Sequence, residues 1–141
     1  MDRHYCITVP FRDIDMHGHM HNAAYVSHFE AAIGHFFRVE RLSGHFAPGG
    51  AYVFHVRKVE VQFHAPTRYD DIVKISCSIS RLGRSSLGFA LQMAGEDGAL
   101  RATADIVWIC VARGASAPSP IPYDLRALLE PYLIAKDPDA E

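Results

Sequence analysis

The side chains best able to do chemistry fall in one stretch, FRDIDMHGHMHNAAYVSHFEAAIGHFF, residues 11–37. Two acids open it in a D-x-D arrangement, Asp13 and Asp15, and three histidines, His17, His19 and His21, alternate around Gly18. The chain then runs into Tyr25, Val26, Phe29, Ala32, Ile33, Phe36 and Phe37, the i, i+3/i+4, i+7 spacing of an amphipathic helix. Asn22 stands just before that pattern, where a capping side chain and unpaired backbone N–H groups are expected. A carboxylate is thus placed a short way upstream of a helix N-terminus, across a glycine-containing loop. Such a layout sets an acid, base or nucleophile beside a ready-made site for developing negative charge.

Three chemistries use residues of this kind. His17, His19 and His21 with Asp13 and Asp15 have the atoms of a metal site, but no later His/Cys/Asp cluster supplies distant ligands and His55 and His64 are isolated, so no metal is expected. A Ser-His-Asp triad lacks its G-x-S-x-G elbow, and Ser85-Ser86 reads as turn chemistry or ligand contact. A carboxylate acting as base or nucleophile is the simplest remaining option. Asp15 is the better placed acid, being nearer the glycine turn and the helix, while each Asp has the alternative of capping a loop. His28 and His35 flank the apolar stripe and read as edge-of-core histidines.

The rest of the chain must position that stretch. With 141 residues, 49% hydrophobic and 21% charged, it has the length and composition of one globular domain, residues 1–141, with a proper core. A formal charge of -2 gives no electrostatic reason to expect nucleic acid or an anionic membrane as partner. The three cysteines, Cys6, Cys77 and Cys110, are scattered and odd in number, which suits reduced, buried thiols rather than a disulfide framework. No apolar run approaches the ~20 residues of a membrane span. The start MDRHYCITVPF lacks a signal-peptide core, so a cytoplasmic setting is expected.

Residues 4–11 alternate, with Tyr5, Ile7, Val9 and Phe11 on one face, and predict a short strand leading into the acidic loop. The helix is predicted over 22–39, followed by a Gly/Pro-marked loop at 44–50. In the extended segment 51–64 the apolar positions are even at Tyr52, Phe54 and Val56, then odd at Val59, Val61 and Phe63. A change of parity near Arg57-Lys58 predicts a bulge or a strand partly buried on both faces. Val73, Ile75, Cys77 and Ile79 form the cleanest strand face; Gly83-Arg84-Ser85-Ser86 breaks it, and Leu87, Phe89, Leu91 and Met93 begin another. The D-G step at Asp97-Gly98 predicts a hairpin into the long strand 99–112. A short closing helix is predicted over 122–130, with Pro131 ending or kinking it and a frayed tail over 135–141. The order β-α-β-β-β-β, then a small helix, defines an α+β class in which a sheet curls around one apolar helix. Its long strands leave edges that a second copy of the chain can cover.

These stretches resemble the 4-hydroxybenzoyl-CoA thioesterase family of hotdog-fold acyl-CoA thioesterases. The resemblance is carried by FRDIDMHGHMHNAAYVSHFE, by HAPTRYDDIVKISCSISRLGRSSLGF, in which Asp71 precedes a strand and a basic-Ser hairpin follows, and by the ending IPYDLRALL. Together they span about residues 5–133. The resemblance implies a hotdog fold, a curled antiparallel sheet wrapped around the helix and paired into a homodimer or a homotetramer. It implies hydrolysis of an acyl-CoA, with coenzyme A as part of the substrate and no further cofactor. The family's catalytic Asp falls on Asp15, and its carbonyl-polarising backbone N–H on Asn22. Gly18 keeps the turn that admits the thioester, Tyr25 is the aromatic of the helix on the substrate side, and Arg84, Ser85 and Ser86 match positions that touch coenzyme A in relatives.

The chain also departs from the family pattern. Some relatives carry His at the position of Asn22, which here can hydrogen-bond but not carry a proton. Gly18-His19-Met20-His21-Asn22 looks like the family's G-H-x-N-N variant with His21 in place of its first Asn, which makes His19 a loop-structuring member of the catalytic group. The 4-hydroxybenzoyl substrate is therefore not carried over. The alternatives are an acyl-carrier-protein thioesterase and a non-catalytic thioester-binding hotdog protein.

Overall fold

A computed structural model describes residues 3–134; the tail expected over 135–141 lies outside them. Strand β1 (Tyr5–Thr8) leads through a 3-10 turn at Phe11–Asp13 into helix α1 (Asn22–Val39). Four long strands follow, β2 (Tyr52–Phe63), β3 (Ile72–Leu82), β4 (Ser86–Gly95) and β5 (Leu100–Ala112), and then helix α2 (Tyr123–Leu129). The strands make one antiparallel sheet in the order β1-β3-β4-β5-β2. Helix α1 lies on one face of the sheet, the hotdog arrangement that the resemblance implies.

Residue periodicity explains which face. Phe29, Ala32, Ile33, Phe36 and Phe37 of α1 meet Val73, Ile75, Cys77 and Ile79 of β3, Leu87, Phe89, Leu91 and Met93 of β4, and Ala102, Ala104 and Ile106 of β5 in one buried cluster. Each strand contributes every second residue, as a pleated sheet with one covered face requires. The parity change in β2 is a bulge: Val56 pairs with Trp108 and Lys58 with Val107, leaving Arg57 as the extra residue. The insertion keeps Tyr52, Phe54 and Val56 on the same face as Val59, Val61 and Phe63, opposite inward residues of β5. The D-G turn forms as expected, with Gly98 at φ +81° and the Gly95 N–H donating to the Ala99 carbonyl.

One expectation is corrected at the N-terminal end. The first strand stops at Thr8, and Phe11, placed on its buried face by alternation, is 77% exposed in the 3-10 turn after Pro10. Proline withholds a ladder donor, so alternation cannot continue through it. The segment expected as loop over 44–50 also begins with a 3-10 turn, Ser43–Phe46, which stacks Phe46 on Phe37 at 3.9 Å between ring centroids.

Candidate active site

Asp15 sits in a tight hairpin that folds back on itself. Ile14 bridges to Met20, the Asp15 N–H donates to the His19 carbonyl, and the Gly18 N–H donates to the Asp15 carbonyl. Gly18 makes the reversal at φ +79°, a conformation that costs L side chains about 1–2 kcal/mol. A Cβ there would meet nothing within 4 Å, so glycine is needed for its backbone freedom rather than for space. Inside the hairpin Asp15 Oδ1 accepts the His17 N–H at 2.8 Å and the His19 N–H at 3.3 Å. The bond from His17, assisted by that from His19 and opposed by partial burial, holds the Asp15 pKa below its ordinary value. The carboxylate is therefore anionic at neutral pH, and both amide bonds go to Oδ1 rather than to its second oxygen, Oδ2.

The start of α1 differs from the expectation in one respect. The N-cap is His21, not Asn22: its backbone is extended and its Nδ1 accepts the Ala24 N–H at 3.2 Å. Asn22 is the first residue of the helix, and among the described residues its N–H and that of Ala23 have no hydrogen-bond partner. These are the orphan donors of a helix N-terminus, and they carry its partial positive charge.

Asp15, His19, Met20, Asn22 and Tyr25 line one cleft with Phe63, His64, Ala65 and Pro66, a volume of about 310 Å³. The acid hairpin is tied to the opposite wall, since the Met20 N–H donates to the Thr67 carbonyl at 2.7 Å and His19 bridges to Arg68. Tyr25 presents its ring edge-on to Phe63 at 5.1 Å, while its hydroxyl hydrogen-bonds buried Thr67 at 3.0 Å. The tyrosine is thus almost fully buried at the cleft wall, with its polar end already engaged.

The three loop histidines have separate fates: His17 is exposed, His19 lines the cleft and His21 caps the helix. Among the described residues no group of three or more His, Cys, Asp or Glu side chains is placed to hold a metal ion. The two buried thiols are no rival nucleophiles, since burial pushes Cys77 up to about 12 and raises Cys110 as well.

Arg84, Ser85 and Ser86 are not brought to this cleft within one chain. They lie at the β3–β4 turn, the opposite end of the sheet from Phe63, roughly 25 Å away along strands rising ~3.3 Å per residue. Arg84 is exposed, Ser85 is half-buried and Ser86 is buried, with its Oγ filling the space a Cβ on Gly83 would need. Phe63, His64 and Pro66 were not singled out for the site, because only the curl of the sheet brings the end of β2 over the helix N-terminus. His28 is half-buried at the edge of the core, as its spacing suggests, and its Nε2 lies 2.7 Å from Asp13 Oδ2.

An anionic carboxylate thus shares one cleft of mixed polar and apolar lining with the open amides of a helix N-terminus, an arrangement able to polarise and attack a carbonyl. The chain belongs to the thioesterase-like superfamily, which it matches over residues 9–129. It is similar to the acyl-CoA thioester hydrolase YbgC of Escherichia coli, at 27% identity over 121 residues that cover 86% of this chain and 90% of that one. Among solved structures, it is similar to a thioesterase from Thermus thermophilus complexed with coenzyme A and Zn, with a TM-score of 0.75, 26% identity, and 92% of each chain covered. The fold also matches Slr0204, a 1,4-dihydroxy-2-naphthoyl-CoA thioesterase from Synechocystis, with a TM-score of 0.82, 18% identity, and 89% and 93% of the two chains covered.

Proposed function

We propose that the protein hydrolyses an acyl-CoA to the free acid and coenzyme A, with Asp15 as its essential carboxylate. The observation that carries this reading is the anionic Asp15 in a single cleft with Asn22, whose N–H has no partner among the described residues. The thioester carbonyl oxygen takes the Asn22 N–H, whose worth in comparable sites is roughly 10²–10³ in rate. Asp15 Oδ2 then attacks the carbonyl carbon and expels the CoA thiolate, and water cleaves the resulting anhydride; alternatively, Asp15 takes the proton of an attacking water. Both routes consume one water and release acid and thiol. The bonds from His17 and His19 fix the carboxylate in either case, and His19 serves the loop rather than the reacting atoms.

The same reading includes a homodimer built on β2. One edge of the sheet is covered in part by β1 and in part by the chain near Leu133, which bridges to Ile79. The other edge is the 12-residue β2, whose inward residues Val56 and Phe63 remain 54% and 50% exposed. Two-fold antiparallel pairing of β2 with its copy covers those residues. It also swings the β3–β4 turn of one chain toward the Asp15 end of the other, where Arg84 and Ser85 of the partner subunit can meet the nucleotide part of coenzyme A. The free thiols Cys6, Cys77 and Cys110 support a reducing, cytoplasmic setting.

Thiol release from a panel of short, long and aromatic acyl-CoAs tests the reading. Turnover on any member supports it and begins to name the acyl group. Silence across the panel transfers the activity to carrier-protein thioesters or reduces the protein to a binding module.

A further inference from the structure

Asp13, two residues before Asp15, is the least exposed charged group near the cleft, at 8%. It is joined to α1 at two places. Its carbonyl accepts the N–H of the N-cap His21 at 2.8 Å, and its carboxylate Oδ2 lies 2.7 Å from Nε2 of His28. Residues 21 and 28 are seven apart, two turns along one helix face, a separation of about 10 Å. Attachment at two points along the axis sets both the position and the direction of the chain entering the acid hairpin, in addition to the Ile14–Met20 bridge that joins its two legs. The exposed Arg12, with Nε 4.0 Å from Asp13 Oδ1, adds only a weak contact from the solvent side.

The two legs of the hairpin are therefore anchored differently. The outgoing leg is tied by Met20 to Thr67, and so to the wall that carries Phe63, His64 and Pro66. The incoming leg, which sets where Asp15 starts, is tied by Asp13 to α1. The first attachment shapes the cleft; the second sets the distance from the carboxylate to the Asn22 amide, because both are then measured from the same helix.

Building on the hydrolytic reading above, we infer that Asp13 and His28 form a positioning pair for Asp15. His28 touches no reacting atom. It donates Nε2–H to an otherwise buried carboxylate and holds the incoming leg against the helix, keeping Asp15 within reach of a carbonyl carbon whose oxygen sits on the Asn22 N–H. A displacement of about 1 Å in such a site can cost as much as 10²-fold in rate. Substrate binding depends on the other leg and the walls, so it is little altered.

The test is steady-state kinetics of His28→Ala, His28→Gln, Asp13→Ala and the double variant Asp13→Ala/His28→Ala, each below its own melting temperature. His28→Ala is expected to lower kcat by roughly 10- to 100-fold with KM near the wild-type value. His28→Gln keeps an N–H for Asp13 Oδ2 and is expected to recover most of the loss. The double variant is expected to lose no more than the worse single, because the pair acts as a unit. If His28→Ala does not fold, His28→Phe, which fills the space without a donor, replaces it. Unchanged kcat in a folded His28→Ala or His28→Phe overturns the inference, as does a His28→Gln no better than alanine or an effect confined to KM. Asp15→Asn run alongside separates the two proposals. Wild-type turnover there removes Asp15 from the reaction, whereas an inactive Asp15→Asn beside a fully active His28→Ala removes only the positioning pair.

Discussion

Asp15 combines two properties that pull against each other in a free carboxylate, full ionisation and a fixed direction. The amides of His17 and His19 supply both through Oδ1 and leave Oδ2 for chemistry. They favour the anion, so the folded-state pKa lies below the ordinary one. That contribution to stability is present above the ordinary carboxylate pKa of about 4 and is lost as pH falls through the lower folded-state value. Protonation of Asp15 should therefore cause no loss of kcat between about pH 8 and pH 5, which a pH–rate profile will check. Gly18→Ala should destabilise the protein by about 1–2 kcal/mol through its left-handed backbone, with Gly18→Asn milder; thermal melts of the two variants measure this. Asp13→Asn, which keeps a hydrogen-bonding group beside His28, should retain measurable turnover. At this scale the D-x-D motif and the helix stripe made Asp15, Gly18 and Asn22 legible in the sequence. The cap was not, because Asn22 has the better side chain for capping and only the backbone course shows His21 in the capping position. The Asp13–His28 contact spans 15 positions and follows from how the loop lies on the helix, which no local pattern records.

Among the elements, β2 shows how one inserted residue preserves a face. Deleting Arg57 would return the strand to strict alternation and turn either Tyr52, Phe54 and Val56 or Val59, Val61 and Phe63 away from the helix. Such a variant should be poorly soluble and melt well below wild type, as scanning calorimetry would record. The parity break was readable because both halves of β2 are strongly apolar at alternate positions. The fate of Phe11 was not, since its apolar side chain fits a strand face equally well until Pro10 turns the chain away. Helix α2 has a similar supporting role at the far end: Arg126 donates to the carbonyls of Leu82, Gly83 and Arg84 and braces the β3–β4 turn. If that turn binds coenzyme A, Arg126→Ala should raise KM for an acyl-CoA with little change in kcat, a split that separates binding from chemistry.

Among the described residues the sheet has one long bare edge, and the motif residues lie at both ends of the sheet. Sequence order placed Arg84, Ser85 and Ser86 in the same family pattern as Asp15, but a pattern carries no distance, and the strands between them hold the two sites apart. The edge-to-edge pairing through β2 proposed above would bring them together. Val56→Glu/Val59→Glu should yield a monomer by sedimentation velocity and lose acyl-CoA turnover with it; a monomer of full activity would place the complete site in one chain. The central claim, that the Asp15 carboxylate carries out thioester hydrolysis, is tested most directly by comparing wild type with Asp15→Asn on the best acyl-CoA of the panel. Thiol release should fall by roughly 10²–10⁴-fold while the melting curve and oligomeric state stay at wild type. Turnover by a folded Asp15→Asn within a few-fold of wild type would contradict it.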